Sequence, residues 1–382
     1  MNINEEIHMT SKERMKLTMA GKRPDRVPVM CQLSLGHIYL HTGMGPVKFW
    51  YTPEGLANAY IEMAERYKFD GILVSIPGRD PRVAEKIVSI DTIEEGHLVI
   101  WEDGYKEIVP HDDFPYAPHD LRKASESITI NEVDIENINQ IKSENELPSY
   151  FLNILDHVLK FKGAELSIHG EVGTVFERFL SLFGNYGDGL VALLDDPEKC
   201  HNVMERMNRT VLVEALAQCS RGIDALKLSS PFAGSGFISR KMYEEFVLPY
   251  EKNIIKTVNE RYGIPCYIHT CGAIGDRLDL LVDTGTQGIE CLDPYPLGNV
   301  DLENAVRQIG NKVFIKGNLD SVNELQFKTP IEVKEIAQKR IETGRKCAKG
   351  YILSSACSVA PHVSPQNIDV LYDSAREYGM FL

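Results

Sequence analysis

The segment 265–292, PCYIHTCGAIGDRLDLLVDTGTQGIECL, carries the pattern that decides the fold of this chain. Two short apolar runs, Pro265–His269 and Gly288–Leu292, flank a stretch near 274–284 that is predicted to be helical. Near-continuous apolar strands that alternate with helices are typical of a parallel sheet covered by helices. The segment therefore predicts one strand-helix-strand unit of an α/β protein.

The same unit recurs along the whole chain. Eight apolar runs are predicted as strands: Val27–Leu33, Gly71–Ile76, Ala164–His169, Ala225–Ser229, Pro265–His269, Gly288–Leu292, Lys312–Lys316 and Tyr351–Ser355. Helices are predicted near 53–67, 197–219, 240–261, 274–284, 300–309, 330–346 and 365–378. Thr52, Asp196, Thr329 and Ser364 each precede a proline, a pair typical of a helix start. We therefore expect an α/β fold with a single (β/α)8 TIM-type barrel.

The stretch 80–160 departs from this alternation and is interpreted as an insertion after the second strand. Asp103-Gly104, between Leu98–Trp101 and Tyr105–Val109, predicts a hairpin turn. The segment Asn131–Glu146 is predicted to be helical. Because no repeat or linker divides the chain, residues 1–382 are expected to form one domain.

Composition narrows the class of protein. Of the 382 residues, 43% are hydrophobic and 25% charged, which is typical of a globular protein. A net charge of −14 disfavours nucleic acid and anionic membranes as partners. Eight cysteines are too sparse for a disulfide scaffold. The sequence shows no signal sequence and no apolar run long enough to span a membrane. We therefore expect a cytoplasmic protein with reduced thiols. The sequence leaves open whether it forms a homo-oligomer.

Polar side chains at the strand ends predict a metal site, because functional groups of a parallel barrel lie at its C-terminal face. His269 and Cys271 close the fifth strand, and Cys357 follows the eighth. Imidazole and thiolate suit Zn²⁺, and three protein ligands with one open position are typical of catalytic zinc. The alternative is a buried histidine beside inert core cysteines. Cys291 and Cys266 are interpreted as core residues.

Other strand-end groups are assigned supporting roles. Glu171 is predicted to act catalytically, as a fourth ligand or in proton transfer, and Asp293 to orient the histidine ligand. His169, Glu290 and Asn318 are predicted to contact substrate, with Glu290 also a candidate to bind or support the metal. The alternative for Glu171 is a solvated or ion-paired carboxylate, and for Asn318 a residue that only shapes the mouth.

Several segments resemble the uroporphyrinogen decarboxylase superfamily. They are Met15–Pro28, Phe246–Tyr250, His269–Gly272, Asp283–Gly285 and Gly317–Asp320. Within that superfamily, the His-x-Cys and distant Cys resemble the zinc motif of corrinoid-dependent methyltransferases. The resemblance implies a distorted (β/α)8 barrel, with His269, Cys271 and Cys357 as zinc ligands. It also implies a corrinoid cofactor (cobalamin) carried by a partner protein.

The resemblance also implies a function. The expected activity is zinc-dependent transfer of a methyl group between a small molecule and the cobalt of a corrinoid protein. A methoxylated aromatic is favoured as substrate (O-demethylation), because the chain is longer than thiol-type relatives. The insertion also holds four aromatic residues, Trp101, Tyr105, Phe114 and Tyr116. These residues either cover the ring of a substrate or form the core of the insertion.

Three alternatives stay open. The first is methyl transfer from a methylcobamide to a thiol. The second is uroporphyrinogen decarboxylation, which is disfavoured because Cys31–His37 lacks the arginines that hold the tetrapyrrole carboxylates in that enzyme. The third is a non-catalytic corrinoid or tetrapyrrole binder with structural zinc.

Overall fold

A computed structural model describes residues 9–121 and 127–381 of the chain. Its strands, in chain order, are β1 (Gly71–Val74), β2 (Ile87–Ile93), β3 (Gly96–Trp101), β4 (Lys106–Pro110), β5 (Ser167–Gly173), β6 (Ala225–Ser229), β7 (Cys266–Thr270), β8 (Gly288–Cys291), β9 (Phe314–Leu319) and β10 (Tyr351–Ser355). Seven of them form one parallel sheet in the order β1-β5-β6-β7-β8-β9-β10, and β2-β3-β4 form a separate antiparallel sheet. The predicted TIM-type barrel architecture is confirmed.

The helices, in chain order, are α1 (Ser11–Met19), α2 (Leu35–Thr42), α3 (Pro46–Tyr51), α4 (Pro53–Arg66), α5 (Asn153–Lys162), α6 (Val175–Leu180), α7 (Tyr186–Asp195), α8 (Pro197–Ser220), α9 (Arg240–Phe246), α10 (Leu248–Tyr262), α11 (Leu278–Asp283), α12 (Leu302–Ile309), α13 (Pro330–Gly344) and α14 (Pro365–Tyr378). Four of them, α4, α8, α13 and α14, begin at the prolines that the sequence marks as helix starts. In the described part of the chain, no helix is both long enough and apolar enough to cross a membrane.

The predicted first strand, Val27–Leu33, closes the barrel between β10 and β1. Leu353 N–H donates to Pro28 O at 2.9 Å, and Asp70 N–H donates to Val29 O at 2.8 Å. The ladder is reduced to isolated bridges. The ladder is incomplete because Pro28 has no N–H to donate, and because Val29 N–H donates to the Asp70 carboxylate and not to a neighbouring strand.

An apolar layer fills the N-terminal end of the barrel. Met15 and Met19 of α1 enter it and contact buried side chains near the strand starts, which are Met30, Leu73, Ala225, Tyr267, Phe314 and Ile352. Because this end is plugged by apolar side chains, the polar residues of the strands are left for the C-terminal end.

The segment between β1 and β5 contains the predicted hairpin and a third strand, β2, that the sequence did not reveal. Asp103-Gly104 forms the turn, with Gly104 at φ +81°, a conformation that glycine adopts without steric cost. The ring of Trp101 lies 5.0 Å from that of Tyr51, and Phe114 lies 5.5 Å from Trp50. The insertion therefore packs on α3.

The prediction of a helix over Asn131–Glu146 was wrong. The segment instead contains three short 3-10 turns, Ile130–Glu132, Ile135–Asn137 and Glu144–Glu146. Arg206 of α8 donates to the backbone oxygens of Glu136 and Ile138, at 3.0 and 3.1 Å. These side-chain bonds satisfy carbonyls that a helix would otherwise use, so tertiary contacts override the local preference.

A buried carboxyl on α10 is expected to make stability depend on pH. Burial raises the pKa of Glu251 to about 7, although Tyr243 donates a hydrogen bond to it at 2.6 Å. The folded protein thus binds a proton that the unfolded chain releases at lower pH, so stability falls as pH rises from about 4.5 through 7. The free energy of unfolding of Glu251→Gln, compared with that of wild type at the same pH, should therefore rise by roughly 3 kcal/mol between pH 5 and pH 8.

Urea denaturation at both pH values measures this difference. The exposed Glu245 of α9 supplies a matched control, and Glu245→Gln should keep the wild-type pH dependence. Equal pH dependence in the Glu251→Gln and wild-type proteins would refute the assignment.

Candidate metal centre

Four side chains converge at the C-terminal end of the barrel: His269 of β7, Cys271 just after it, Cys291 at the end of β8, and Cys357 after β10. One ligand atom from each lies within 4.8 Å of all the others. His269 Nε2 is 3.2 Å from Cys271 Sγ and 3.8 Å from Cys357 Sγ. Cys357 Sγ is 3.1 Å from Cys271 Sγ and 3.9 Å from Cys291 Sγ.

These separations fit a tetrahedral metal. Zn–S bonds of about 2.3 Å and a Zn–N bond of about 2.0–2.1 Å place tetrahedral ligand atoms roughly 3.5–3.8 Å apart. The ligand atoms already lie near those distances, and three sulfurs with one imidazole suit Zn²⁺ better than a hard cation such as Mg²⁺. The residues present therefore fit a zinc ion.

The backbone at the strand ends aims the thiols inward. Cys291 has φ +81° and Leu292 has φ +55°, in the left-handed region that disfavours side chains other than glycine. Such conformations cost of order 1–3 kcal/mol each and are concentrated at functional sites. Gly272, which follows Cys271, has φ +76°, a conformation that glycine adopts without steric cost.

The cluster is open on one side. His269 and Cys291 are buried, whereas Cys271 and Cys357 are partly exposed. A small molecule at the barrel mouth would meet these two cysteines first.

Glu290 fixes the orientation of His269. Its Oε2 accepts a hydrogen bond from His269 Nδ1 at 2.9 Å, which leaves Nε2 free to face the thiols. Lys316 also donates to Glu290, and Lys227 Nζ lies 3.4 Å from Oε2. All four side chains are at least nine-tenths buried, so the barrel interior holds a compact charge network.

The network perturbs the acid–base equilibria of the site. Burial acts to raise the pKa of Glu290, but Lys316 and Lys227 hold it well below its usual range. Burial and Lys227 act to lower the pKa of His269, but hydrogen bonds with Cys357 and Glu290 raise it overall. Hydrogen bonds from the Cys291 and Cys357 thiols lower the pKa of Cys271 to about 4, so the cluster favours a thiolate.

Two of the predicted roles are corrected by this geometry. The residue that orients His269 is Glu290 and not Asp293, whose Oδ2 accepts from Gly272 N–H at 2.7 Å instead. The fourth side chain of the cluster is Cys291, and Glu171 does not belong to the cluster, so of its two predicted roles only that in proton transfer stays a prediction. Cys291 was interpreted as core, and it is fully buried, but its sulfur also faces the cluster.

The predicted substrate contacts are only partly at the mouth. His169 lies inside the barrel, with Ser167 Oγ and Tyr267 Oη at 3.0 and 3.1 Å from its ring nitrogens. Burial, followed by the charge of Lys316, lowers its pKa to about 3, so it is neutral. Asn318 donates to Leu292 O at 2.8 Å and thus holds the loop after β8. His169 therefore has structural partners at both ring nitrogens, whereas Asn318 Oδ1 is buried without a hydrogen-bond partner among the described residues.

A cavity of about 300 Å³ opens at the ends of β1, β5 and β6. Glu171 and Ser229 line it, and Ser229 is the strand partner of His269, so the cavity borders the strand that carries the metal-site histidine. Glu171 Oε1 is 3.4 Å from Lys227, while its Oε2 has no hydrogen-bond partner among the described residues. Trp101, Tyr105, Phe114 and Tyr116 of the insertion do not line this cavity.

Comparisons with known proteins place the chain among related sequences. Residues 117–378 match the uroporphyrinogen decarboxylase (URO-D) family. The methylcobamide:CoM methyltransferase MtbA of Methanosarcina acetivorans is 22% identical over 97% of this chain and 98% of its own length. The uroporphyrinogen decarboxylase of Vesicomyosocius okutanii is 28% identical over 49% of this chain and 51% of its own.

Two further proteins are similar. The methylated-thiol–coenzyme M methyltransferase of Methanosarcina mazei is 28% identical over 48% of this chain and 46% of its own. A solved methyltransferase structure from Methanosarcina mazei superposes with a TM-score of 0.72, at 16% identity, over 97% of this chain and 99% of that one. The last comparison shows a shared fold.

Proposed function

The chain belongs to the uroporphyrinogen decarboxylase family, and from that premise we propose that it is a zinc-dependent methyltransferase acting between a small molecule and the cobalt of a corrinoid protein. The observation that carries this proposal is the cluster of His269, Cys271, Cys291 and Cys357 at the barrel mouth. Full-length similarity to a methylcobamide:CoM methyltransferase supports it. We also propose that the whole chain acts as one domain.

We propose a methoxylated aromatic as the methyl donor. The cavity at the ends of β1, β5 and β6 is lined by the apolar side chains of Val74, Ile76, Phe151 and Leu155, which suit an aromatic ring. In the reaction, the O–CH₃ bond breaks, the methyl group passes to Co(I), and the oxygen keeps the bonding electron pair and gains a proton.

The chain's own residues would supply binding and orientation. His269 and the three cysteines would hold zinc, and Cys291 would give way to a substrate oxygen or thiolate, toward which the bound ion would provide Lewis acidity or stabilisation of the thiolate. Glu290 holds the imidazole in place, and Lys316 and Lys227 balance the charge of Glu290. Glu171, with its free oxygen at the cavity wall, is positioned to take a proton from water and relay it to the departing oxygen.

A second candidate is methyl transfer to a thiol, which the named activities of the two Methanosarcina relatives favour. Uroporphyrinogen decarboxylation is disfavoured, because three carboxylates, Glu171, Glu177 and Glu214, line the cavity and would repel a polycarboxylate substrate.

One assay tests the function. Zinc-loaded protein is incubated with cob(I)alamin, in place of the corrinoid protein, and with methanol, methylamines, methyl thiols or methoxyphenols. We expect the methyl-Co(III) spectrum with methoxyphenols, its loss when a chelator removes zinc, and its return on reloading. Methyl transfer only between methylcobalamin and a thiol would support the second candidate, and transfer that persists without zinc would refute the role of the metal.

A further inference from the structure

The cavity at the ends of β1, β5 and β6 has one apolar and one acidic side. Val74, Ile76, Phe151 and Leu155 form the apolar side. Its volume of about 300 Å³ is at the lower end of the usual range for small-molecule sites. The cavity thus suits a compact molecule with one apolar ring and one polar group.

Carboxylates outnumber bases on the acidic side. Glu171, Glu177 and Glu214 line the cavity, against the single base Arg178. Arg178 is already used, because both of its terminal nitrogens donate to the Glu214 carboxylate. No base forms an ion pair with Glu177 among the described residues.

The lysine behind the cavity does not remove this excess. Lys227 is fully buried and lies 3.4 Å from both Glu171 and Glu290, and Lys316 also pairs with Glu290, so the two lysines balance those two carboxylates and leave Glu177 without a paired base among the described residues. Glu177 lies close to Glu171 on the following helix α6. Burial and the charge of Glu171 raise the pKa of Glu177, as expected for neighbouring carboxyls with too few bases.

We infer that this cavity binds the methyl-bearing substrate through a hydrogen-bond donor, a hydroxyl or ammonium group that faces Glu171 and Glu177, and that it rejects substrates with an anionic group. A donor satisfies the free carboxylate oxygens, whereas a carboxylate or sulfonate meets like charges in a partly desolvated site. The inference rests on the proposed function and narrows its substrate class to neutral or cationic methoxyarenes.

Calorimetric binding to zinc-loaded protein tests this inference without any corrinoid, so that no methyl transfer is needed. The ligands are 2-methoxyphenol, 3-methoxybenzylammonium, methoxybenzene and 3-methoxybenzoate, which share a methoxyarene body. We expect the first two to bind about tenfold more tightly than methoxybenzene, and the benzoate about tenfold more weakly. Tight binding of only the phenol or only the ammonium ligand identifies which donor the site prefers.

Glu177→Gln keeps the side-chain shape and removes one charge. It should improve benzoate binding and weaken ammonium binding, each by several-fold, whereas Glu245→Gln on the exposed face of α9 should change neither. Four similar affinities, or a preference for the benzoate, would overturn the inference.

Different results would contradict the proposed function and the inferred ligand class. If the binding order holds but cob(I)alamin accepts no methyl group from any ligand, the proposed function fails and the ligand class stands. If methoxybenzene and 3-methoxybenzoate are demethylated as readily as 2-methoxyphenol, the function stands and the ligand class fails.

Discussion

Replacing Cys357 with serine is expected to strip the protein of zinc and to lower methyl transfer by at least about 10³-fold, since the lost metal contributes several kcal/mol to the reaction. Cys357 Sγ lies within 3.9 Å of the three other ligand atoms, so its loss removes the sulfur that is close to every other member of the cluster. Zinc content by atomic absorption and the rate of methyl-Co(III) formation measure the two effects.

A matched control separates metal binding from general damage to the barrel. Cys266 stands on the same strand as His269, three residues earlier, and its side chain is buried outside the cluster. Cys266→Ala should therefore keep its zinc and its methyl-transfer rate. Zinc-free Cys357→Ser protein that still transfers methyl groups at the wild-type rate would show that the metal is not catalytic.

The free energy of unfolding of Glu290→Gln is expected to be about 3–5 kcal/mol lower than that of wild type, because the substitution leaves two buried lysines without their shared carboxylate. Lys316 and Lys227 are both fully buried against Glu290. The same change removes the acceptor for His269 Nδ1, so zinc affinity should fall by about 10–100-fold. Urea denaturation and competition with a zinc chelator measure the two losses.

The exposed pair Lys256 and Glu260 on α10 provides the comparison. Glu260→Gln should leave both stability and zinc affinity at wild-type values, because exposed ion pairs contribute little. If Glu290→Gln is as stable as wild type and binds zinc equally well, the buried network does not support the metal centre.

The barrel is predictable from sequence because its strands are nearly continuous apolar runs separated by well-marked helix starts. The prolines at 53, 197, 330 and 365 each stand at the first position of the helix that they predict. Strand ends shift by a few residues, as for Ser167–Gly173 against the predicted Ala164–His169. The prediction of a helix over Asn131–Glu146 was wrong because Arg206, which is distant in sequence, donates hydrogen bonds to two carbonyl oxygens of this segment.

The candidate site is predictable only in part. His269, Cys271 and Cys357 stand out because each is at a strand end. Cys291 resembles a core residue, with Ile289 and Leu292 around it, and the left-handed backbone that aims its sulfur is not visible in the sequence. Its register opposite Thr270 is the signal that could have placed it beside the cluster.

The cavity could not be predicted, because its walls come from elements far apart in sequence. Glu177 lies on α6, within no strand, while Phe151 and Leu155 come from the C-terminal end of the predicted insertion. Only the folded barrel brings their side chains to the same opening as Glu171.

The zinc K-edge absorption spectrum of the metal-loaded protein tests the central claim most directly. A centre formed by His269, Cys271, Cys291 and Cys357 predicts one nitrogen at about 2.0–2.1 Å and three sulfurs at about 2.3 Å from zinc. A first shell of oxygen and nitrogen alone, without sulfur, would contradict the assignment of the metal to the barrel mouth.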